Sequence, residues 1–264
     1  MIRSAKSLTG FELQATDGAL GKVKDLYFDD VKWNVRYVVV DTAAWLRSRK
    51  VLLSTGVFFG SDWDASQLLV DLTQDQIRKS PSLDTEEPID REDEESLHRY
   101  YGWPTYWSES TDGMESMAGL GGAVGAVPVG LTPSPRSNVA VPGPTLGRRA
   151  PDGDRRLRSV NQVVGYHIEA TDGSIGHIED FLVDDQTWDI RYCIIDTRNW
   201  LPGKKVLLAP EWISRIRWSE SSAYVDLTRE SVQNSPEFDP KVPMDETYAH
   251  RLHDHYERPH HPGL

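Results

Sequence analysis

The chain has 264 residues, 38% of them apolar, and a formal net charge of −12 with a pI near 5.1. This length accommodates two ordinary domains with modest cores, and the acidity works against contact with nucleic-acid phosphates or anionic lipid headgroups. The lone cysteine, Cys193, excludes an internal disulfide and a multi-cysteine zinc site, and no run approaches the roughly 18 consecutive apolar residues that span a bilayer.

The chain repeats itself. Residues 10–101 align without gaps on residues 165–256 at a constant offset of 155 (165 minus 10), with on the order of 40% of positions identical. Each copy opens on a hairpin signal, Thr16-Asp17-Gly18 and Thr171-Asp172-Gly173, where glycine supplies the backbone freedom of a tight turn. A second turn follows at Asp29-Asp30 and Asp184-Asp185. The apolar runs 35–40 and 190–195 read as central strands buried on both faces, and Cys193 within the second is a small core residue where the other copy has Val38. Further strands are expected at 51–53, 57–59 and 68–72, with partners at 206–208, 213–216 and 223–227. Thr73 and Thr228 then cap a short helix that stops at Ser80-Pro81 and Ser235-Pro236, because the residue before proline is disfavoured in the α conformation. A second helix, 90–101 and 245–256, closes each copy. Five or six short strands at hairpin spacing argue for a compact antiparallel barrel or a strongly bent sheet.

Between the copies the composition shifts to Gly, Ala, Val, Pro and Ser, which lack the bulky apolar side chains that offset ordering entropy. The domain reading is therefore 1–107, a flexible linker at 108–158, and 159–264 with a histidine-rich tail. Arg148, Arg149, Arg155, Arg156 and Arg158 fall on the linker without interleaved aromatics and read as a solvated tether.

The string Thr-Asp-Gly-x-Leu/Ile-Gly, Asp-Asp, Trp-x-x-Arg-Tyr (Trp33 to Tyr37, Trp188 to Tyr192), Asp-Thr (Asp41-Thr42, Asp196-Thr197) and Lys-Val-Leu-Leu (Lys50 to Leu53, Lys205 to Leu208) resembles the PRC-barrel family in both copies. The resemblance implies a mainly β chain of two small antiparallel β-barrels in tandem, each followed by short α-helices, and a role in assembly and interaction without a shared catalytic set. In the reaction-centre H subunit such a barrel caps a membrane complex and helps move protons. This chain departs from it in having no transmembrane helix and two barrels.

Few residues suggest chemistry. Asp29-Asp30 and Asp184-Asp185 could hold a hard cation but are commonly turn formers. Asp41 and Asp196 end apolar strands and suit loop capping, and Arg36 and Arg191 suit a structural ion pair. His250, His253 and His255, with Asp254 or Glu257, are the weak metal candidates, followed by His260 and His261; His253 alone has a counterpart, His98. Trp33, Trp45 and Trp63 recur as Trp188, Trp200 and Trp218 and read as fold residues. Trp103 and Trp107, with Tyr100, Tyr101 and Tyr106, form an unrepeated patch for docking on the second copy or on a partner, and Trp212 is unrepeated. No nucleophile elbow, phosphate loop or cysteine–histidine pair is present.

The first residues, Met1 to Lys6, carry no apolar signal segment. The expectation is a soluble, cytoplasmic, non-catalytic tandem protein without a cofactor, metal or nucleic-acid partner, whose repeats pair pseudo-symmetrically within the chain or in a homo-oligomer to bind an unspecified protein. Two alternatives are an H-subunit-like role in photosynthetic or electron-transfer assembly, and a metal- or pH-responsive protein using the C-terminal histidines.

Overall fold

The structure of the chain, a computed structural model, describes residues 1–42, 46, 50–81, 89–107, 156–197, 204–242 and 244–258. It is mainly β. The first half contains β1 (Ile2–Ser4), α1 (Ala5–Leu8), β2 (Glu12–Ala15), β3 (Gly18–Asp29), β4 (Asn34–Asp41), β5 (Lys50–Ser54), β6 (Phe58–Asp62), β7 (Gln67–Val70), α2 (Gln74–Lys79) and α3 (Arg91–Tyr101). The second repeats this order as β8 (Leu157–Ser159), α4 (Val160–Val163), β9 (His167–Ala170), β10 (Gly173–Asp184), β11 (Ile190–Asp196), β12 (Lys205–Leu208), β13 (Ile213–Arg217), β14 (Ser222–Val225), α5 (Arg229–Asn234) and α6 (Glu246–His255). Among the described residues no helix is long and apolar enough to cross a membrane.

The expected antiparallel barrels give way to two seven-stranded mixed sheets. One runs β5-β4-β3-β2-β7-β6 with β8 on β3, and the other β12-β11-β10-β9-β14-β13 with β1 on β10. The pairs β2–β7 and β9–β14 are parallel, and no hydrogen-bonded ladder joins the end strands β5 and β6 or β12 and β13. Following the pair directions around the first sheet makes β5 and β6 point the same way, and only the one-turn 3-10 segment Thr55–Val57 separates them. The chain itself therefore turns the corner between the two ends of the sheet. A barrel would need a ladder there.

Local chemistry sets these elements. Thr16 and Asp17 turn the β2–β3 hairpin, and the Asp17 carboxylate accepts from the Gln74 amide at 2.8 Å, so the hairpin tip and Thr73 together cap α2; Asp172 does the same for Arg229 at the head of α5. Gly21 and Gly176 sit at bulges with φ of 142° and 145°. A Cβ on either would lie 2.0 or 2.1 Å from the carbonyl oxygen of Asp41 or Asp196, so only glycine fits.

The halves exchange strands. β3 has twelve residues, but β2 covers only its Gly18 to Lys22 portion, and Tyr27, Phe28 and Asp29 further along are buried. An open edge there would leave buried peptide groups unpaired. β8 of the second half fills it, and β1 of the first half fills the matching edge of β10. The joints are equivalent. Asp180 accepts from the Ser4 hydroxyl (2.5 Å) and the Lys6 and Phe181 amides (3.1 and 2.8 Å), and Asp25 accepts from the Ser159 hydroxyl (2.5 Å) and the Asn161 and Leu26 amides (3.2 and 2.8 Å). Arg158 pairs with Asp30 at 2.9 Å and lies 4.0 Å from the Trp218 ring; Arg3 pairs with Asp185 at 3.6 Å and lies 4.3 Å from the Trp63 ring. Arg158 is thus part of a joint and not of a solvated tether, and the ordered strand starts at Leu157, two residues inside the stretch read as linker.

Between the joints, Trp33 and Trp188 adopt left-handed conformations, φ 52° and 62°, which present their carbonyls to the Ile190 and Val35 amides of the opposite half at 2.8 Å each. Phe28, Trp33 and Phe181 pack across this line, and one apolar core runs through both halves.

Three outcomes test this fold. Gly21→Ala is expected to cost about 2 kcal/mol or more in urea denaturation, since it combines strain and a backbone clash. Asp180→Ala, which strands three donors, is expected to cost about 3 kcal/mol, and Asp180→Asn much less. Burial holds the Asp25 and Asp180 carboxyls above their ordinary pKa despite these donors. The folded state therefore binds protons more tightly than the unfolded state at these groups, and their contribution grows as pH falls through the raised values. The stability of the parent relative to an Asp25→Asn, Asp180→Asn double variant should accordingly rise between pH 7 and pH 4.

Candidate binding cleft

The outer face of β4 meets α3, where Glu94, Leu97 and His98 share one buried stripe at helical spacing. Glu94 accepts from the Tyr37 hydroxyl (3.0 Å) and the Tyr106 hydroxyl (2.5 Å) and pairs with Arg91 (3.0 Å). Burial raises the Glu94 carboxyl and both phenols. Tyr37 also lies 2.7 Å from His98 Nε2. Burial lowers the pKa of this imidazole. Tyr106 lies over Arg36 at 4.1 Å and Trp107 packs on His98 at 4.7 Å, while Trp103 stacks on Tyr101 at 4.2 Å. The aromatic patch expected to dock elsewhere thus folds back on its own repeat.

The second repeat keeps only part of this arrangement. Tyr192 and His253 repeat the tyrosine–histidine pair at 3.2 Å, and burial pushes the Tyr192 phenol up to about 12. At the offset of 155, however, Ala249 stands for Glu94, Glu246 for Arg91 and Arg258 for Trp103. Trp212, where the first copy has Val57, packs on His253 at 5.1 Å and Tyr256 at 4.9 Å, as Trp103 does on His98 and Tyr101. One aromatic filler, from the segment after α3, has been exchanged for another from the 3-10 turn Pro210–Trp212.

A cleft of about 970 Å³ opens along the seam on this side. Its floor is the Asn34–Asp189 bridge with Trp33 and Ile190, and Tyr192, Trp212 and His253 wall the second-repeat end. Four cations line it, Lys32, Arg36, Arg191 and Arg258, against Asp30, Asp189 and Glu211. Asp30 is engaged by Arg158, and Asp189 accepts from the Asn34 amide at 2.6 Å. The lining thus carries charges of both signs, and Arg36 in turn lies 3.9 Å from Asp29 and beneath the Tyr106 ring. A smaller cleft of about 360 Å³ lies by Arg3, Trp63, Trp188 and the exposed Phe59.

The remaining expected residues fall into structural places. Asp29 and Asp184 cap their turns, accepting from the amides of Val31 and Lys32 and of Gln186 and Thr187. Arg36 lies 3.9 Å from Asp29. Asp41 and Asp196 end β4 and β11, but the loops they were expected to cap, with Trp45 and Trp200, lie outside the described residues. Cys193 is fully buried and its thiol pushed up by burial. His253 faces the core, His255 contacts the Ser231 carbonyl at 2.8 Å and His250 is exposed, so the three do not converge. Among the described residues no three His, Cys, Asp or Glu side chains form a ligand set, and His260 and His261 lie outside them. The exchanged strands were missed, although Arg3-Ser4 and Arg158-Ser159 are identical at the same offset.

The asymmetry between the repeats is testable by thermal denaturation. Glu94→Ala should cost about 3 kcal/mol by stranding two hydroxyls and a cation. Ala249→Glu should destabilise as well, because it buries a carboxylate where Glu246 and His261 stand for Arg91 and Tyr106, leaving Tyr192 as the one counterpart of the Glu94 partners. No protein-family model matches the chain, and no curated protein matches it.

Proposed function

We propose that the chain is a non-catalytic protein-binding scaffold in which two PRC-barrel-like repeats act as one body. The observation that carries this reading is the reciprocal exchange of β1 and β8, which fixes the repeats about a pseudo-twofold line and builds a cleft from both of them. The resemblance of both motif strings to a family of assembly modules agrees with it. The buried polar groups beside the cleft are engaged in holding α3 and α6 on their sheets, and the cleft lining joins tryptophan, tyrosine and arginine, the residues enriched among interface anchors, with three carboxylates.

The test is crosslinking of the tagged full chain in lysate of its own cell, with the captured species weighed and identified by mass spectrometry. A partner complex of fixed stoichiometry is expected. Recovery of the chain alone would contradict the scaffold reading.

A further inference from the structure

The copies also differ at one pair of facing positions on the outer surface of the sheets. In the hairpin β9–β10, His167 stands opposite His177, and the equivalent positions of β2–β3 hold Glu12 opposite Lys22. The backbone fixes how closely such side chains approach. The Ile178 amide donates to the Tyr166 carbonyl at 2.9 Å, while the His167 amide donates away from β10, to the Ser221 carbonyl at the head of β14. His167 and His177 are therefore a non-hydrogen-bonded pair, the closer of the two antiparallel arrangements, with Cα atoms roughly 4.5 Å apart. The first copy has the same pattern, with the Val23 amide donating to Phe11 and the Glu12 amide to Ser66, and there Lys22 reaches Glu12 at 3.7 Å. His167 is exposed and His177 half-buried, with Ile168 and Ile178 beside them in the core. Ser222 on β14 faces His167, Glu169 is next on the same side of β9, and Glu179, next along β10, is held by Lys205 at 2.7 Å. Two hydrogen-bonded strands thus hold two imidazoles within reach of one ion, each ring turning about its side-chain torsions to present a nitrogen. Imidazole suits zinc, nickel and copper, whereas magnesium and calcium take oxygen ligands. Among the described residues no third His, Cys, Asp or Glu completes the set, so water fills the remaining positions and the site stays open, unlike a closed four-ligand zinc site.

We propose that His167 and His177 form an open surface site for a divalent first-row metal ion of the zinc, nickel and copper class, present in the second copy where the first copy has an ion pair. The site is separate from the seam cleft and from the C-terminal histidines, and it does not depend on the scaffold reading.

Calorimetric titration of the full chain with nickel, zinc and magnesium chlorides tests this, in a background of His250→Gln, His255→Gln, His260→Gln and His261→Gln that removes the tail histidines. One nickel or zinc ion is expected to bind in that background and magnesium is not, and binding should weaken on acidification because protons compete for the imidazoles. Adding His167→Glu and His177→Lys installs the ion pair of the first copy, so the circular dichroism spectrum should be unchanged while nickel affinity falls at least about tenfold. The reverse graft, Glu12→His with Lys22→His, should raise the stoichiometry from one ion to two without removing any ligand. Loss of all nickel and zinc binding with the tail histidines, unchanged affinity after His167→Glu and His177→Lys, or a stoichiometry left at one by the graft would overturn the proposal.

Discussion

The architecture depends on a mismatch of strand lengths. β3 and β10 each run twelve residues, and their hairpin partners β2 and β9 run four. The uncovered ends are buried, so their peptide groups need partners from elsewhere. Neither half supplies its own, because the strand that would do so, β1 or β8, lies on the other half's sheet. The serine–aspartate joints, the arginine–tryptophan contacts and the left-handed tryptophan turns all serve this exchange, and each occurs twice. A homodimer would obtain the same interface by symmetry. Duplication places it in one chain, where the second half is always present at high effective concentration.

Duplication also frees the two copies to differ, and they differ on the face beside the seam. In the first, Glu94 holds Tyr37 and Tyr106 while the segment after α3 covers Arg36. In the second, Ala249 removes the acceptor and Arg258 replaces the stacking Trp103, and Trp212 restores the packing against the histidine and tyrosine. The two copies thus pack this face with different residues, which a symmetric dimer could not do.

Much of the fold was legible because it follows local rules. The runs at 35–40 and 190–195 are buried on both faces, Thr73 and Thr228 cap their helices, and proline ends them. Closure was not legible: the parallel pairing of β2 with β7 joins segments far apart in sequence, and hairpin spacing suggests only neighbouring, antiparallel ladders. The exchange was hidden for another reason. Strands of three residues such as Ile2–Ser4 carry almost no periodicity, and their meaning appears only when the long edge they cover is seen. The cleft was the least visible, since Lys32, Trp212 and Arg258 lie far apart along the chain outside any recognised motif, and Arg191 drew notice only as part of the Trp-x-x-Arg-Tyr string and as one side of a structural ion pair. The patch at Trp103 and Trp107 drew attention by its density, but its role is to fill the first copy.

The central claim is that the halves are held by exchanged strands and not by the chain between them. A protease site placed within residues 108–155 and cut after folding severs the covalent link, and size-exclusion chromatography under native conditions then reports whether the halves stay together. Co-elution as one species of the parent's mass, persisting until denaturant is added, is the predicted result. Separate elution of the two halves would contradict the account.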